Sequence, residues 1–374
     1  MNRLLNYMNK HQDEMVDDLQ RLVESESPSE VKDLVDQCGQ LLRGMMEEYI
    51  GGEVEVYPQV ERGDHFKLTV GEGEKRVLLL SHFDTVWDKG RLPMKMTDGK
   101  FYGPGVLDMK GGIIQAVWAL KALKELGDLP DHQIVFLCTS DEELGSQTSR
   151  ALLEKEAAAS DAVLVTEPPV AKTGALKTGR KGVGIYDLIV HGKASHAGND
   201  HESGRSAIKE LAHQVIRLEE MTDYEVGTTV NVGVVQGGTR MNVVSEYAEA
   251  KIDFRVKTAK EAERMVQVME EIKPITEGVQ VEVRGELNRP PMERTDEIGA
   301  LFTKAKEAAA EMGFEVDEAQ VGGGSDGNFT AMIGTPTIDG LGALGEGPHA
   351  EHEHIVLDEL PKRAAMLAGL LQKI

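Results

Sequence analysis

The residues in this chain best suited to chemistry are histidines and carboxylates that follow short apolar runs. Ser81-His82-Phe83-Asp84-Thr85 closes the stretch Arg76–Ser81 and puts His82 and Asp84 on one side of an extended segment. That arrangement suits a metal-binding imidazole oriented by a nearby acid. Asp108 lies in the glycine-rich stretch Tyr102–Gly112, where a helix begins near Lys110; Glu142 and Glu143 follow the run Gln133–Thr139, and Glu167 follows Asp161–Thr166. Each has an ordinary alternative on its own, because Asp is a favoured helix N-cap and paired Glu is commonly a solvated turn. Together they converge, since ligands of an open α/β sheet gather outside the carboxyl ends of its strands. Mutually repelling acids at that edge need a cation. A further histidine comes from Gly345–His354, where His349 follows the Gly/Pro turn, whereas His352 and His354 read as part of a solvated charge cluster.

Two histidines with three or four carboxylates and no cysteine suit a co-catalytic pair of zinc ions, or cobalt or manganese, better than one structural zinc. Such a pair lies about 3.5–4 Å apart and lowers the pKa of a bound water from about 15.7 towards about 7. Glu142, beside the ligand Glu143, is the natural base for that water's proton. Structural calcium, which prefers all-oxygen ligands, is disfavoured by His82 and His349.

The elements that must hold these residues read as an α/β architecture. Apolar runs alternating with helical patterns, such as Ile113, Val117, Leu120 and Leu123, and then Leu144–Ala159, imply parallel βαβ units. After Pro168-Pro169 the pattern changes: Val183–Gly192, Thr228–Gln236 and Ser245–Val256 alternate apolar and polar residues as half-exposed antiparallel strands do. Helices near Arg205–Glu220 and Lys260–Ile272 complete an α+β insert. From Asn288 helix and strand patterns return, with a helix over Glu297–Met312, strands over Phe314–Val321 and Thr335–Asp339, and a last helix from Leu357. The expected fold is an α/β, mainly parallel-sheet domain with helices on both faces (1–174 and 288–374), interrupted by an inserted, lid-like α+β domain (175–287).

The 374 residues carry a net charge of −23, which argues against nucleic acid and anionic membranes as partners. Cys38 and Cys138 make no disulfide framework and no zinc-type pair. The N-terminal stretch places Leu4, Met8, Met15, Leu19 and Leu22 on one helical face and contains acids throughout, so it reads as a surface helix and not a signal peptide. A cytoplasmic location is the expectation.

The ordered set SHFDTV, GPGVLDMKGG, DEELGS, TEP, GKASHAG, GGGSDG and GPHAEHE resembles the M20 family of dinuclear zinc peptidases, especially its glutamate carboxypeptidase-like branch. The resemblance implies that His82, Glu143 and a bridging Asp108 bind one metal, and Glu167, His349 and Asp108 the other. It makes Asp84 the residue that orients His82, Glu142 the acid/base, and Asp108–Met109 a cis peptide. It also implies a homodimer in which His196 reaches the partner's site to stabilise an oxyanion. Asn242, Arg255 and, more weakly, Arg289 would hold a substrate carboxylate, and the loop with Gly324 and Ser325 would line the pocket.

The implied activity is hydrolysis of an amide bond adjacent to a C-terminal carboxylate, in a small peptide or N-acyl amino acid, through a metal-bridged water with Glu142 as base. An N-acyl-amino-acid deacylase or a di- or tripeptidase is the alternative on the same scaffold. Pro169–Lys181 departs from the glutamate carboxypeptidase pattern, which puts glutamate preference in doubt. Gly322–Gly327 also fits the GxGxxG signature of a nucleotide-binding oxidoreductase. Its position near the C-terminus, followed by a brief apolar stretch, argues against that reading.

Overall fold

A computed structural model of the chain describes residues 2–374. They divide into two compact units: one takes the chain to Gly179 and again over Arg294–Gln320 and Ser325–Ile374, and the other comprises Arg180–Glu293 with Val321–Gly324. The division falls slightly later than the sequence suggests. Leu176 and Lys177 still bond to the backbone of Asp317 and Asp339 in the first unit, and the strand Gln280–Arg289, unmarked in the sequence pattern, carries the second unit on to Glu293.

The first unit is built on a sheet of strands β1 (Glu53–Tyr57), β2 (His65–Val70), β3 (Arg76–His82), β4 (Gln133–Thr139) and β5 (Ala162–Val165), with the short strand Thr337–Ile338 at one edge. Their order is β1-β2-β4-β3-β5-(Thr337–Ile338). β4, β3, β5 and Thr337–Ile338 run parallel, while β1 and β2 add an antiparallel edge. Successive residues of the central strands point to opposite faces. Leu79, Phe136 and Leu164 join the core under helices α1 (Arg3–Lys10), α2 (Gln12–Glu24), α3 (Lys32–Tyr49) and α4 (Gly111–Glu125). Leu78, Leu80, Val135, Leu137 and Val163 join the opposite core with Leu153 of α5 (Arg150–Ala158) and Phe329.

Burial on both faces explains why these strands read as unbroken apolar runs. The expected N-terminal helix is two helices broken at His11, yet Leu4, Met8, Met15, Leu19 and Leu22 are all buried. The helix expected from Leu144 begins only at Arg150, because Gly145 and Ser146 take positive φ of 89 and 57. Only Glu318–Val321 of the strand expected over Phe314–Val321 forms.

The second unit is an antiparallel sheet of β6 (Gly182–His191), β7 (Thr229–Gly237), β8 (Tyr247–Val256) and β9 (Gln280–Arg289) in the order β7-β8-β6-β9. Helices α6 (Ala207–Glu219) and α7 (Ala259–Glu270) share a core with it that includes Leu188, Ile252, Leu211 and Met265. Ser206 and Thr258 cap these helices by accepting from Lys209 N and Glu261 N.

Arg363, on the helix Leu360–Leu371, is fully buried and donates to the carbonyls of Gly174, Gly340 and Gly342. Burial lowers its pKa to about 10. Gly342 N in turn donates to the Glu167 carbonyl, so this guanidinium braces the turn behind a candidate site residue. Arg363→Met would strand three buried carbonyls at about 1–3 kcal/mol each, before relaxation. The expected outcome is a lower urea midpoint with an unchanged m-value.

Candidate metal centre

Parallel register brings the expected ligands together. His82 pairs with Thr139 across β3 and β4, and Leu80 pairs with Val165 across β3 and β5. Two residues further along, His82 and Glu167 therefore stand side by side at the carboxyl edge. Asp108 arrives from the loop before α4, whose Asp108–Met109 peptide is cis. The start of α4 needs small residues: a Cβ on Gly112 would lie 1.9 Å from the Thr166 carbonyl oxygen. Glu142 and Glu143 occupy a single 3₁₀ turn after β4. His349 follows Gly347 in a turn where both have positive φ, 60 and 82 respectively.

The contacts sort the donors into two sets that share Asp108. His82 Nε2 lies 3.2 Å from Asp108 Oδ1 and 3.3 Å from Glu167 Oε1. His349 Nε2 lies 3.4 Å from Asp108 Oδ2 and 3.2 Å from Glu143 Oε2. Two donors bound tetrahedrally to one zinc at about 2.0–2.1 Å stand about 3.3–3.4 Å apart, close to the spacing of these four histidine–carboxylate contacts. Glu143 Oε1 is buried without a hydrogen-bond partner among the described residues, and the donor set is His and carboxylate only. The residues present thus fit a pair of divalent ions. The strand register sets Glu167 beside His82, and Glu143 contacts His349, while His82, Asp108 and Glu143 also offer ligand atoms within 4.8 Å of one another, the triad that the resemblance implies.

Asp84 is fully buried and acts on both sides of the centre. Its Oδ1 is 3.4 Å from His82 Nδ1, whose other neighbour is the Asp84 carbonyl at 3.1 Å. Its two oxygens also accept from the backbone amides of Glu142 and Glu143, each at 3.3 Å. Ser29 donates to Asp84 Oδ2 at 2.8 Å. Ser29 carries no motif that marks it in the sequence.

Electrostatics within the cluster is strongly coupled. Burial acts to raise the Asp108 carboxyl, but His349 and His82 outweigh it and hold it well below the usual carboxylate range. Burial pushes Glu143 up to about 8 against the opposing pull of His349. Asp108 and Glu143 raise His349 to about 11. His82 is disfavoured as a cation by burial, yet Asp108, Asp84 and Glu167 lift it well above its ordinary value. Ligands must shed these protons to bind an ion.

Other expected site residues fall differently. Arg255 forms a two-pronged pair with Asp253, with both N···O distances 2.7 Å, so its guanidinium is engaged within β8. Arg289 is 4% exposed at the end of β9, with Gly324 packed against its stem. Ser325 is fully buried and donates to Asp339 at 2.6 Å, so its hydroxyl serves the loop and is not presented to a ligand. His196 and Asn242 are exposed neighbours, with Ala197 N donating to the Asn242 carbonyl. His354, expected to be solvated, is buried and packs at a tilt against Tyr102, with ring centroids 5.0 Å apart; Glu353 beside it is wholly buried. The GGGSDG loop leads into a helix of only six residues, Gly327–Met332, after a strand in a separate two-stranded ladder, and so opens no βαβ unit.

Because uptake of divalent ions must release protons from His82, His349 and Glu143, apparent affinity is expected to rise with pH, measured by dye competition at about pH 6 and about pH 8. Equal affinity at both would contradict the ligand set.

Among the described residues, no helix is long and apolar enough to cross a membrane. The model of peptidase family M20/M25/M40 matches residues 78–373. Carboxypeptidase G2 of Pseudomonas sp. (strain RS-16) is 33% identical over 315 residues, covering 81% of this chain and 75% of that protein. Succinyl-diaminopimelate desuccinylase of Thiobacillus denitrificans is 29% identical over 328 residues, covering 81% of each. The crystal structure of aminopeptidase PepT from Bacillus cereus superposes with a TM-score of 0.79 at 24% identity over 97% of this chain and 98% of that one. The chain is an enzyme of the M20/M25/M40 peptidase family, whose members are metal-dependent metallopeptidases and amidohydrolases.

Proposed function

We propose that this enzyme hydrolyses an amide or peptide bond next to a C-terminal carboxylate. The observation that carries the reading is the pair of donor sets that meet on the two oxygens of Asp108. His82, Asp108 and Glu167 would hold one ion, and His349, Asp108 and Glu143 the other, with zinc the expected metal and cobalt or manganese as substitutes. When bound, such ions polarise the scissile carbonyl and acidify water.

Glu142 is the acid/base in this reading. One of its carboxylate oxygens lies within 4.8 Å of ligand atoms of His82 and Glu167. Its backbone is held by Asp84, which steadies the side chain for taking a proton from water and passing it to the leaving amine. His196 supports a donor role of its own. Its Nδ1 accepts from Gly198 N and Asn199 N at 3.1 Å each, which puts the ring proton on Nε2, where it can be offered to an oxyanion.

Asn242, Arg255 and, more weakly, Arg289 are the groups proposed to hold the substrate carboxylate, with Arg255 exchanging its half-exposed pairing to Asp253 for it. A desolvated guanidinium favours a bidentate carboxylate partner. The desuccinylase relative supports N-acyl amino acids as a second substrate class. Glu142→Gln is expected to retain both ions while losing about 10²–10⁴-fold in turnover. The measurement is amine release from a panel of N-acyl amino acids, dipeptides and tripeptides, before and after chelation and reloading. Near-normal turnover in that variant, or activity indifferent to chelation, contradicts the reading.

A homodimer through the second unit is part of the proposal. β7 is an edge strand, and exposed Val234 and Val235 lie on it, with Ile208 and Ile216 of α6 also exposed. Val235→Lys with Ile216→Glu should shift a dimer to monomer in sedimentation velocity; an unchanged dimer would place the interface elsewhere.

A further inference from the structure

We infer that Glu353 is a positioning residue that seats the Asp108 loop through four donors. The inference rests on the metal-dependent reading above for its consequence at the ions, not for the contacts themselves. Glu353 has no exposed surface. Its Oε1 accepts from the backbone amides of Leu107 at 2.9 Å and Asp108 at 3.1 Å. Its Oε2 accepts from Trp87 Nε1 at 2.6 Å and, at longer range, from Gly105 N at 3.4 Å.

The placement ties together parts of the centre that are remote in sequence. Glu353 follows His349 in one segment, and the strand His354–Val356 continues it by pairing with Lys100–Tyr102, immediately before the glycine loop. One carboxylate thus references the shared ligand Asp108 to the segment that supplies His349. From the other side Lys110, fully buried, donates to the carbonyls of Leu22 and Ser25 at the end of α2. The loop between is held at both ends, and the amide gripped by Glu353 is that of Asp108 itself.

Only an acceptor at both oxygens fits this place, because every neighbour is an N–H donor. A glutamine must turn its NH₂ either towards Leu107 and Asp108 or towards Trp87 and Gly105, and either orientation opposes donors. The effect should therefore appear at the loop and at the ions, beyond any loss of stability.

The experiment compares Glu353→Gln, Glu353→Asp and Trp87→Phe with the wild-type chain. Hydrogen exchange is read over Gly105–Asp108 without added metal, and affinity is read by zinc competition. Absorption spectra of the cobalt-loaded proteins and separate kcat and KM values complete the comparison. Glu353→Gln is expected to exchange faster in that loop alone, to bind ions about 10–100-fold more weakly, to alter the cobalt spectrum, and to lower kcat more than KM changes. Trp87→Phe should shift the same readouts in the same direction by less, and it judges the inference together with Glu353→Asp if Glu353→Gln does not fold. Wild-type exchange and ion affinity in the folded variants, or a loss of thermal stability alone, would overturn it. A wild-type chain that takes up no divalent ion overturns the metal reading, while loop exchange still decides whether Glu353 seats the loop.

Discussion

Negative charge gathered at the carboxyl end of one sheet is the constraint on which this molecule turns. Asp84, Asp108, Glu142, Glu143 and Glu167 meet there, Asp84 and Glu167 buried and the other three partly buried. The structure resolves this by giving its acids two kinds of neighbour. Asp84, Glu353 and Asp326 receive amide, indole or hydroxyl donors and are satisfied by the protein itself. Asp108, Glu143 and Glu167 instead face one another and two imidazoles. Buried polar groups are rarely left without partners, so the second kind marks where an external cation belongs.

The scaffold can hold these acids because its geometry comes from ordinary packing. Central strands buried on both faces fix the register, the register sets His82 beside Glu167, and helix α4 packs closely enough to bring in Asp108. Chemistry at the edge thus depends on apolar contacts deep in the sheet. Arg363 extends the same logic, since a buried cation spent wholly on carbonyls shapes the turn that backs Glu167.

Much of this was legible in the sequence because buried parallel strands leave apolar runs, and acids just past their ends stand out. His82, Asp108, Glu143, Glu167 and His349 all meet in one place for that reason. Their pairing was not legible, because it depends on which residue of one strand faces which of the next. Glu353 was hidden by its company: Glu351, His352 and His354 suggest solvent, whereas its burial is set by donors in a distant loop. Asp253 was visible two residues before Arg255 on the same strand face and could have been read as its partner. The delayed start of α5 turned on left-handed backbone at Gly145 and Ser146, which a helix-friendly composition does not reveal.

The seat of Asp108 also has a place in time. Glu353 lies 245 residues after Asp108 in the chain. At synthesis rates of about 5–20 residues per second, roughly 12–50 s pass between making the shared carboxylate and making the group that fixes its loop. From the synthesis of Glu167 until that of His349, the nascent chain carries Asp84, Asp108, Glu142, Glu143 and Glu167 without His349 or Glu353. Completion of the ion-binding centre thereby waits on the His349–Glu353 segment, so a chain stalled or cut before it keeps most of the charge and lacks the means to organise it.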